Sequence, residues 1–250
     1  MTPAAWRAGV AIGAIALAGC APSQSEAPSK HTLIVGIDVS GSFRQSYDDA
    51  IEFASYYLYG HLNGLGGLQV PTTLFVTSVG GERPGEMKAF RPIHDFQGKS
   101  VEQIAAALRD WYPLGDAYTD FNPFFDRTAT HVKRQNLVLV PLNIVLLSDG
   151  LPDTPASPGD TLGPYARISL GPLEYLSRST TVRLLYPTPT IAVRWERAVE
   201  RRRVRLWTQD AQVMAGWRAQ LVPGQLPEAQ DKLWVWIRDN VDFRVRARIL

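Results

Sequence analysis

Two predominantly apolar runs, Leu33-Ile34-Val35-Gly36-Ile37 and Leu142 to Leu147, each lead into a carboxylate, Asp38 after the first and Asp149 after the second. A half-exposed strand alternates apolar with polar residues, whereas a run apolar at nearly every position is covered on both faces, as in a parallel sheet between two layers of helices. Parallel neighbours need a crossover of a dozen or more residues, usually a helix, so the segments between the runs should be helical. Their patterns agree. Tyr47, Ile51, Ala54, Leu58 and Leu62 recur at three- and four-residue steps and stop near Asn63-Gly64, one apolar face of a helix.

The same reading extends along the chain. Thr72 to Val79 is a second strand and Met87 to Ile93 a third, joined by a turn-rich link from Gly80 to Gly85 short enough for an antiparallel edge pair. Ser100 with Gln103 forms a capping box, and Val101, Ile104, Ala105 and Leu108, continued by Trp111 or Tyr112, form the stripe behind it. A further helix starts after Thr119-Asp120, with Pro123 tolerated in its first turn. Thr181 to Tyr186 and Val204 to Thr208 read as strands around an Arg-rich helix from Thr190 to Arg203, and Ala211 to Leu221 as a last helix. The expected architecture is α/β: a doubly wound, mostly parallel sheet with helices on both faces and one antiparallel edge strand. The domain should span residues 31–221. Residues 222–250, with Trp234, Trp236 and Phe243, fall outside the alternation and read as a C-terminal extension of helix and strand, its tryptophans packing on a core rather than docking on a partner.

The first thirty residues differ from the rest. Arg7 precedes an apolar run, Gly9 to Ala18, too short to cross a bilayer, so residues 1–19 read as a signal peptide. Leu17-Ala18-Gly19-Cys20 resembles the lipobox of bacterial lipoproteins, which implies that Cys20, the only cysteine, is acylated and becomes the mature first residue. Residues 20–30, rich in Pro, Ser and Ala, read as a flexible tether. Ala21 in place of Asp points to the outer rather than the inner membrane of a bacterial envelope, with the domain facing the periplasm or the surface. With 26 Lys and Arg against 24 Asp and Glu, a formal charge of +2 gives no field suited to nucleic acid.

The chemistry lies at the strand ends. Asp38-Val39-Ser40-Gly41-Ser42 offers only oxygens, with Gly41 letting the loop turn both hydroxyls and the carboxylate to one point. Such a set suits a hard cation such as Mg²⁺, with Mn²⁺ or Ca²⁺ as alternatives. Zinc would need His or Cys, and His31, His61, His94 and His131 have no ligand spacing, so they read as surface or packing residues. The segment resembles the metal-ion-dependent adhesion site (MIDAS) of von Willebrand factor A (VWA) domains, whose motif is Asp-x-Ser-x-Ser followed by a separate Thr and a separate Asp. Thr119, before Asp120-Phe121-Asn122, matches the Thr, and Asp149, in Leu147-Ser148-Asp149-Gly150, matches the second Asp. Thr128 and Thr130 are alternatives to Thr119 but would lie within or beyond the helix rather than at its start. The resemblance implies that Ser40, Ser42 and Thr119 bind the ion through hydroxyls, Asp38 and Asp149 hold it mainly through water, and a partner protein's Asp or Glu carboxylate completes the site.

The function expected is therefore a metal-dependent adhesion or assembly module on a bacterial envelope membrane, not an enzyme. Two rivals remain: a Mg²⁺-dependent phosphoryl-transfer enzyme of haloacid-dehalogenase type, which needs Asp-x-Asp where this chain has Ser40, and a metal-free structural envelope lipoprotein. Arg194, Arg197, Arg201, Arg202, Arg203 and Arg205 read as a solvated helix face, since Glu196 and Glu200 interleave with them.

Overall fold

In the computed structural model, which describes residues 30–81, 88–153 and 161–243, strand β1 (Thr32–Asp38) is buried along its whole length. Helix α1 (Arg44–Asn63) follows and ends at Gly64, whose left-handed φ of 63° lets its N–H reach back to the last carbonyls. Next come β2 (Thr73–Val79), the two-residue β3 (Arg91–Pro92) and α2 (Val101–Trp111). Helix α3 (Phe121–Arg134) leads into β4 (Leu142–Leu147), then β5 (Thr180–Leu185), α4 (Pro189–Ala198), β6 (Arg205–Gln209), α5 (Ala211–Met214) and α6 (Asp231–Asn240).

The six strands form one sheet in the order β3-β2-β1-β4-β5-β6, parallel throughout except for β3 at one edge. The α/β architecture read from the sequence is the one observed. Strand side chains alternate between two cores. Leu33, Val35, Ile37, Val145 and Leu147 face α1, α2 and α6, while Ile34, Ile144, Leu146, Val182 and Leu184 face α3 and α4. Gly36 allows the second layer its close approach: a Cβ there would lie 2.8 Å from the ring of Phe124 on α3.

Several boundaries differ from those expected, each for a local reason. The third strand shrinks to two residues, since Pro92 has no N–H to extend the ladder and a 3₁₀ turn, Ile93–Asp95, follows at once; residues 82–87 lie outside the described residues. The Arg-rich helix stops at Ala198 because the Glu174 carboxylate accepts from the backbone N–H groups of Arg202 and Arg203 at 2.7 and 2.6 Å, drawing that stretch out of the helix. Arg201–Arg203 are thus loop residues, with Arg203 over the Tyr175 ring and Arg194 over Tyr165. The helix expected over 211–221 is a four-residue α5 followed by turns through Gly216 and a 3₁₀ segment at 218–220. The capping box at Ser100 and Gln103 forms as expected, with bonds of 2.9 and 3.2 Å.

The described residues beyond 221 pack into the core. Leu233, Trp234, Ile237 and Val241 are fully buried in the α1–α2 layer, and the Trp234 indole N–H donates to the Pro227 carbonyl at 2.9 Å. The strand expected at the very end falls on residues 244–250, outside the described residues, as does Cys20. Among the described residues no helix is long and apolar enough to cross a membrane.

The end of α6 is fixed to α1 by a buried charged cluster. His61 Nε2 lies 2.6 Å from the Asp242 carboxylate, His61 Nδ1 lies 2.8 Å from the Gln69 carbonyl, and Tyr57 donates to the other Asp242 oxygen at 2.8 Å. Both ring nitrogens face acceptors, so the imidazole is a cation here. Burial alone would lower its pKa, but the Asp242 charge and the two hydrogen bonds raise it above 6.5. Burial likewise pushes Asp242 up, and His61, Arg183 and Tyr57 together bring it below 3.8.

Two outcomes follow. Trp234→Ala should cost about 3–5 kcal/mol in urea unfolding, as for other large buried aromatics, and a loss under 1 kcal/mol would contradict the packing described. For His61, a raised native pKa means stability that is present below pH 6.5 and is lost as pH climbs through the native value. The wild-type unfolding midpoint should therefore fall as pH rises above 6.5, and His61→Gln should remove that fall.

Candidate functional site

The sheet register assembles the site. β1 and β4 pair in parallel with Ile37 opposite Leu147, so the residues just past them, Asp38 and Ser148, emerge side by side at the carboxyl edge. Ligands of open parallel sheets bind outside this edge, where the strand order reverses. The order reverses at this pair: β1 leads to β2 on one side, and the chain later passes to β4 on the other.

Asp38 is fully buried, with both carboxylate oxygens engaged. The Ser40 N–H donates to one at 2.9 Å and the Ser148 hydroxyl to the other at 2.5 Å. Ser148 in turn accepts from the Gly150 N–H at 3.0 Å. These bonds draw the two strand-end loops together around Asp38. Its burial pushes its pKa up to about 6, the hydrogen bonds from Ser148 and Ser40 opposing that rise and the Asp149 charge adding to it.

The hydroxyls lie just above. Ser40 Oγ and Ser42 Oγ are 3.2 Å apart, the first buried and the second exposed. Val39 accepts the Gly115 and Asp116 N–H groups at 3.0 and 3.1 Å, so the segment leading to Thr119 runs beside this loop. On its other side, the Thr119 carbonyl accepts from the Asp153 N–H at 2.9 Å, in the loop that follows Asp149. Thr119 thus stands between the two strand-end loops. It is 1 % exposed, and its hydroxyl has no hydrogen-bond partner among the described residues. Asp120 caps α3 by accepting from the Asn122 N–H at 3.0 Å, so Thr119 immediately precedes the helix. Thr128, the alternative, lies inside α3, fully buried and with its hydroxyl also without a partner among the described residues, and Thr130 lies two residues further along the same helix.

Asp149 is half-buried and accepts from the Leu151 N–H at 3.0 Å. Burial raises its pKa, opposed by the Leu151 N–H and the Ser42 hydroxyl. The turn behind it needs glycine: Gly150 has φ of 73°, and a Cβ there would meet Leu184 at 2.7 Å. Trp195 on α4 props this turn, its indole donating to the Gly150 carbonyl at 2.7 Å. Gly41, by contrast, has open space around its Cβ position and no left-handed φ, so the Ser40–Ser42 turn does not depend on glycine.

Ser40 and Ser42 with Asp38, and Asp149, thus lie on the two strand-end loops, with the Thr119 backbone between these loops. Among the described residues no three His, Cys, Asp or Glu side chains converge as a metal cage, and the set at this rim is of the other kind, dominated by neutral oxygens. Its fit to a hard cation rests on the all-oxygen set and on the buried Thr119 hydroxyl, which has no partner among the described residues. Sequence reasoning missed two residues, Ser148 and Trp195. Neither carries a local signal, since their roles depend on the parallel register and on the return of α4 over the turn. A cavity of about 630 Å³ lies elsewhere, at the opposite end of the sheet, lined in part by His61, Asp242 and Arg183. His61 and Asp242 are already bonded to each other and Arg183 to the Val241 and Phe243 carbonyls, so it is a poorer candidate than the strand-end loops.

No protein-family model matches the chain, and no curated protein matches it. Among solved structures it is similar to the SpRpn10 VWA domain, at 10 % identity over 80 % of this chain and 93 % of that one, with a TM-score of 0.41. It is also similar to the manganese-loaded TRAP protein of Plasmodium vivax, at 14 % identity over 83 % and 74 % with a TM-score of 0.41. A third is the pilus adhesin SpaC from Lactobacillus rhamnosus GG, at 15 % identity and a TM-score of 0.33, over 50 % of this chain. The chain spans only 15 % of that adhesin's length. The fold itself is defined by the strand order and register given above.

The raised Asp38 carboxyl fixes a pH dependence. A native group that holds its proton more tightly than the unfolded one makes stability fall as pH rises from 3.8 to about 6, and above that the full cost, roughly 3 kcal/mol, remains. With divalent ions chelated, the urea midpoint should drop across this window, and Asp38→Asn should flatten most of the drop. An unchanged slope in the variant would contradict the burial cost assigned to Asp38.

Proposed function

We propose that the chain is a divalent-cation-dependent protein-binding module of the VWA type, held to a bacterial envelope membrane through acylated Cys20. The observation that carries this reading is Thr119, whose hydroxyl is buried without a partner among the described residues and whose backbone stands between the loops that present Ser40, Ser42 and Asp149. A buried hydroxyl left unsatisfied costs about 1–3 kcal/mol, a cost removed when it contributes a lone pair to a cation.

Ser40, Ser42 and Thr119 would hold Mg²⁺ or Mn²⁺ through their hydroxyls. Asp149 would act from the side, and Asp38, whose oxygens are taken by Ser40 and Ser148, would fix the loops and supply negative charge without direct contact. A cation bound mainly by neutral oxygens keeps excess positive charge and attracts an anionic ligand. An Asp or Glu side chain of a partner protein is the ligand proposed. The engagement of both Asp38 oxygens also speaks against a phosphoryl-accepting nucleophile at this position.

Ion binding gives a direct test. At about one hundred times its dissociation constant a bound ion adds about 2.7 kcal/mol, which for a domain of this size raises Tm by roughly 5–10 °C. Mg²⁺ or Mn²⁺ should produce such a rise, EDTA should reverse it, and Thr119→Ala should abolish it while leaving the metal-free Tm within a few degrees of wild type. Pull-down from envelope extracts should then lose its captured partner in EDTA and in Asp38→Ala; equal capture in all conditions would sink the proposal.

A further inference from the structure

The end of the sheet opposite the hydroxyl-lined rim has its own surface chemistry. His31, Thr72, Pro141 and Ser179 stand side by side there, linked by Thr72 N–H to His31 O at 3.0 Å, Thr32 N–H to Pro141 O at 2.8 Å and Leu142 N–H to Ser179 O at 2.9 Å. The loops that enter β2, β4 and β5 therefore surround the point where the N-terminal segment joins β1. Those loops expose large apolar side chains: Val70 at 53 %, Val138 at 40 %, Leu139 at 61 % and Tyr175 at 72 %. Leu139 is held outward in a left-handed conformation, φ 77°, costly for a bulky residue, and is pinned by its N–H bond to the Leu176 carbonyl at 2.8 Å.

Cations ring this apolar centre. Lys30, Lys133, Arg134 and Arg178 are exposed there, the middle pair in the last turn of α3. The loops 64–72, 135–141 and 171–179 contain one acid, Glu174, and its carboxylate is buried and occupied by the Arg202 and Arg203 N–H groups. The loop before β6 sets Glu200 against Arg201, Arg202 and Arg203, again with an excess of positive charge.

We infer that this end of the domain docks on an anionic phospholipid bilayer, with Val70, Val138, Leu139 and Tyr175 at the interface and the surrounding Lys and Arg side chains against lipid phosphates. Apolar side chains amid basic ones are the chemistry that an interface of anionic headgroups over hydrocarbon recognises. The inference rests on the Cys20 anchor for the proximity of the bilayer: the ten residues 21–30 can span at most about 35 Å, and they join the domain in the middle of this face. The seven residues of β1, at about 3.3 Å each, carry the hydroxyl-lined rim some 20 Å further out. That rim faces away from the bilayer, toward a partner.

A single experiment tests the docking separately from the anchor. The full chain carrying Cys20→Ser and Leu139→Cys, labelled at 139 with a polarity-sensitive dye, is mixed with vesicles of phosphatidylglycerol and phosphatidylcholine or of phosphatidylcholine alone. A blue shift with the anionic vesicles, reversed by high salt and absent from a label at Leu151→Cys, is the expected result. Lys133→Glu with Arg134→Glu should weaken that partition roughly ten-fold or more, and since residues 1–19 are the same in every variant, the difference reports this face alone. No shift at 139, or an equal shift at 151, overturns the inference. Failure of the anchor reading would show instead as an unacylated Cys20 in the wild-type chain, a result that leaves the vesicle measurement unaffected.

Discussion

Asp38 is a carboxylate with no exposure to solvent, satisfied by one backbone N–H and one serine hydroxyl. Burying such a group is costly unless its oxygens are paired, and here the pairing requires that β1 and β4 adopt one register. Sliding β4 by a single residue would reverse its two faces and withdraw Ser148 from Asp38. The register places Asp149 next to the hydroxyl loop, and Gly150 and Trp195 then hold the turn that follows. The geometry of the rim descends from this one buried contact, and the raised pKa of Asp38 measures the cost of keeping it.

Much of this was legible in the chain itself. The apolar runs before Asp38 and Asp149 specify strands covered on both faces, and strands of that kind separated by amphipathic segments lead to a parallel sheet with helices on each side. Ser100 with Gln103 and Asp120 before Phe121 announce helix starts because capping is chemistry within four residues. The parts that were not legible are those settled by contacts distant in sequence. Nothing local tells Arg202 and Arg203 that Glu174 will take their N–H groups, so the Arg-rich helix reads longer than it is. Ser148 looks like any residue before a turn until β1 is laid beside it. The tail around Trp234 reads as core packing from its composition, but which face it covers, the one that α1 leaves open, is settled only by the fold.

The two ends of the sheet divide the work of the molecule as proposed. One end gathers neutral hydroxyls and carboxylates at the switch in strand order, where loops can vary without disturbing the core. The other gathers apolar side chains and cations around the point where the N-terminal segment arrives. A parallel sheet provides this separation without further apparatus, because every strand starts at one end and finishes at the other.

Asp49 on α1 accepts from the Tyr186 hydroxyl at 2.8 Å, the Trp217 indole at 3.0 Å and Arg218 at 2.6 Å, and Trp234 packs on the same helix from later still. Part of the cover of this early helix is thus made last, beyond the α2 layer that precedes it. A nascent chain leaving the ribosome would hold this side of α1 without its Asp49 partners and its Trp234 cover until nearly the whole polypeptide had been synthesised. The α1 layer of such a domain is completed only when its last helix has been made.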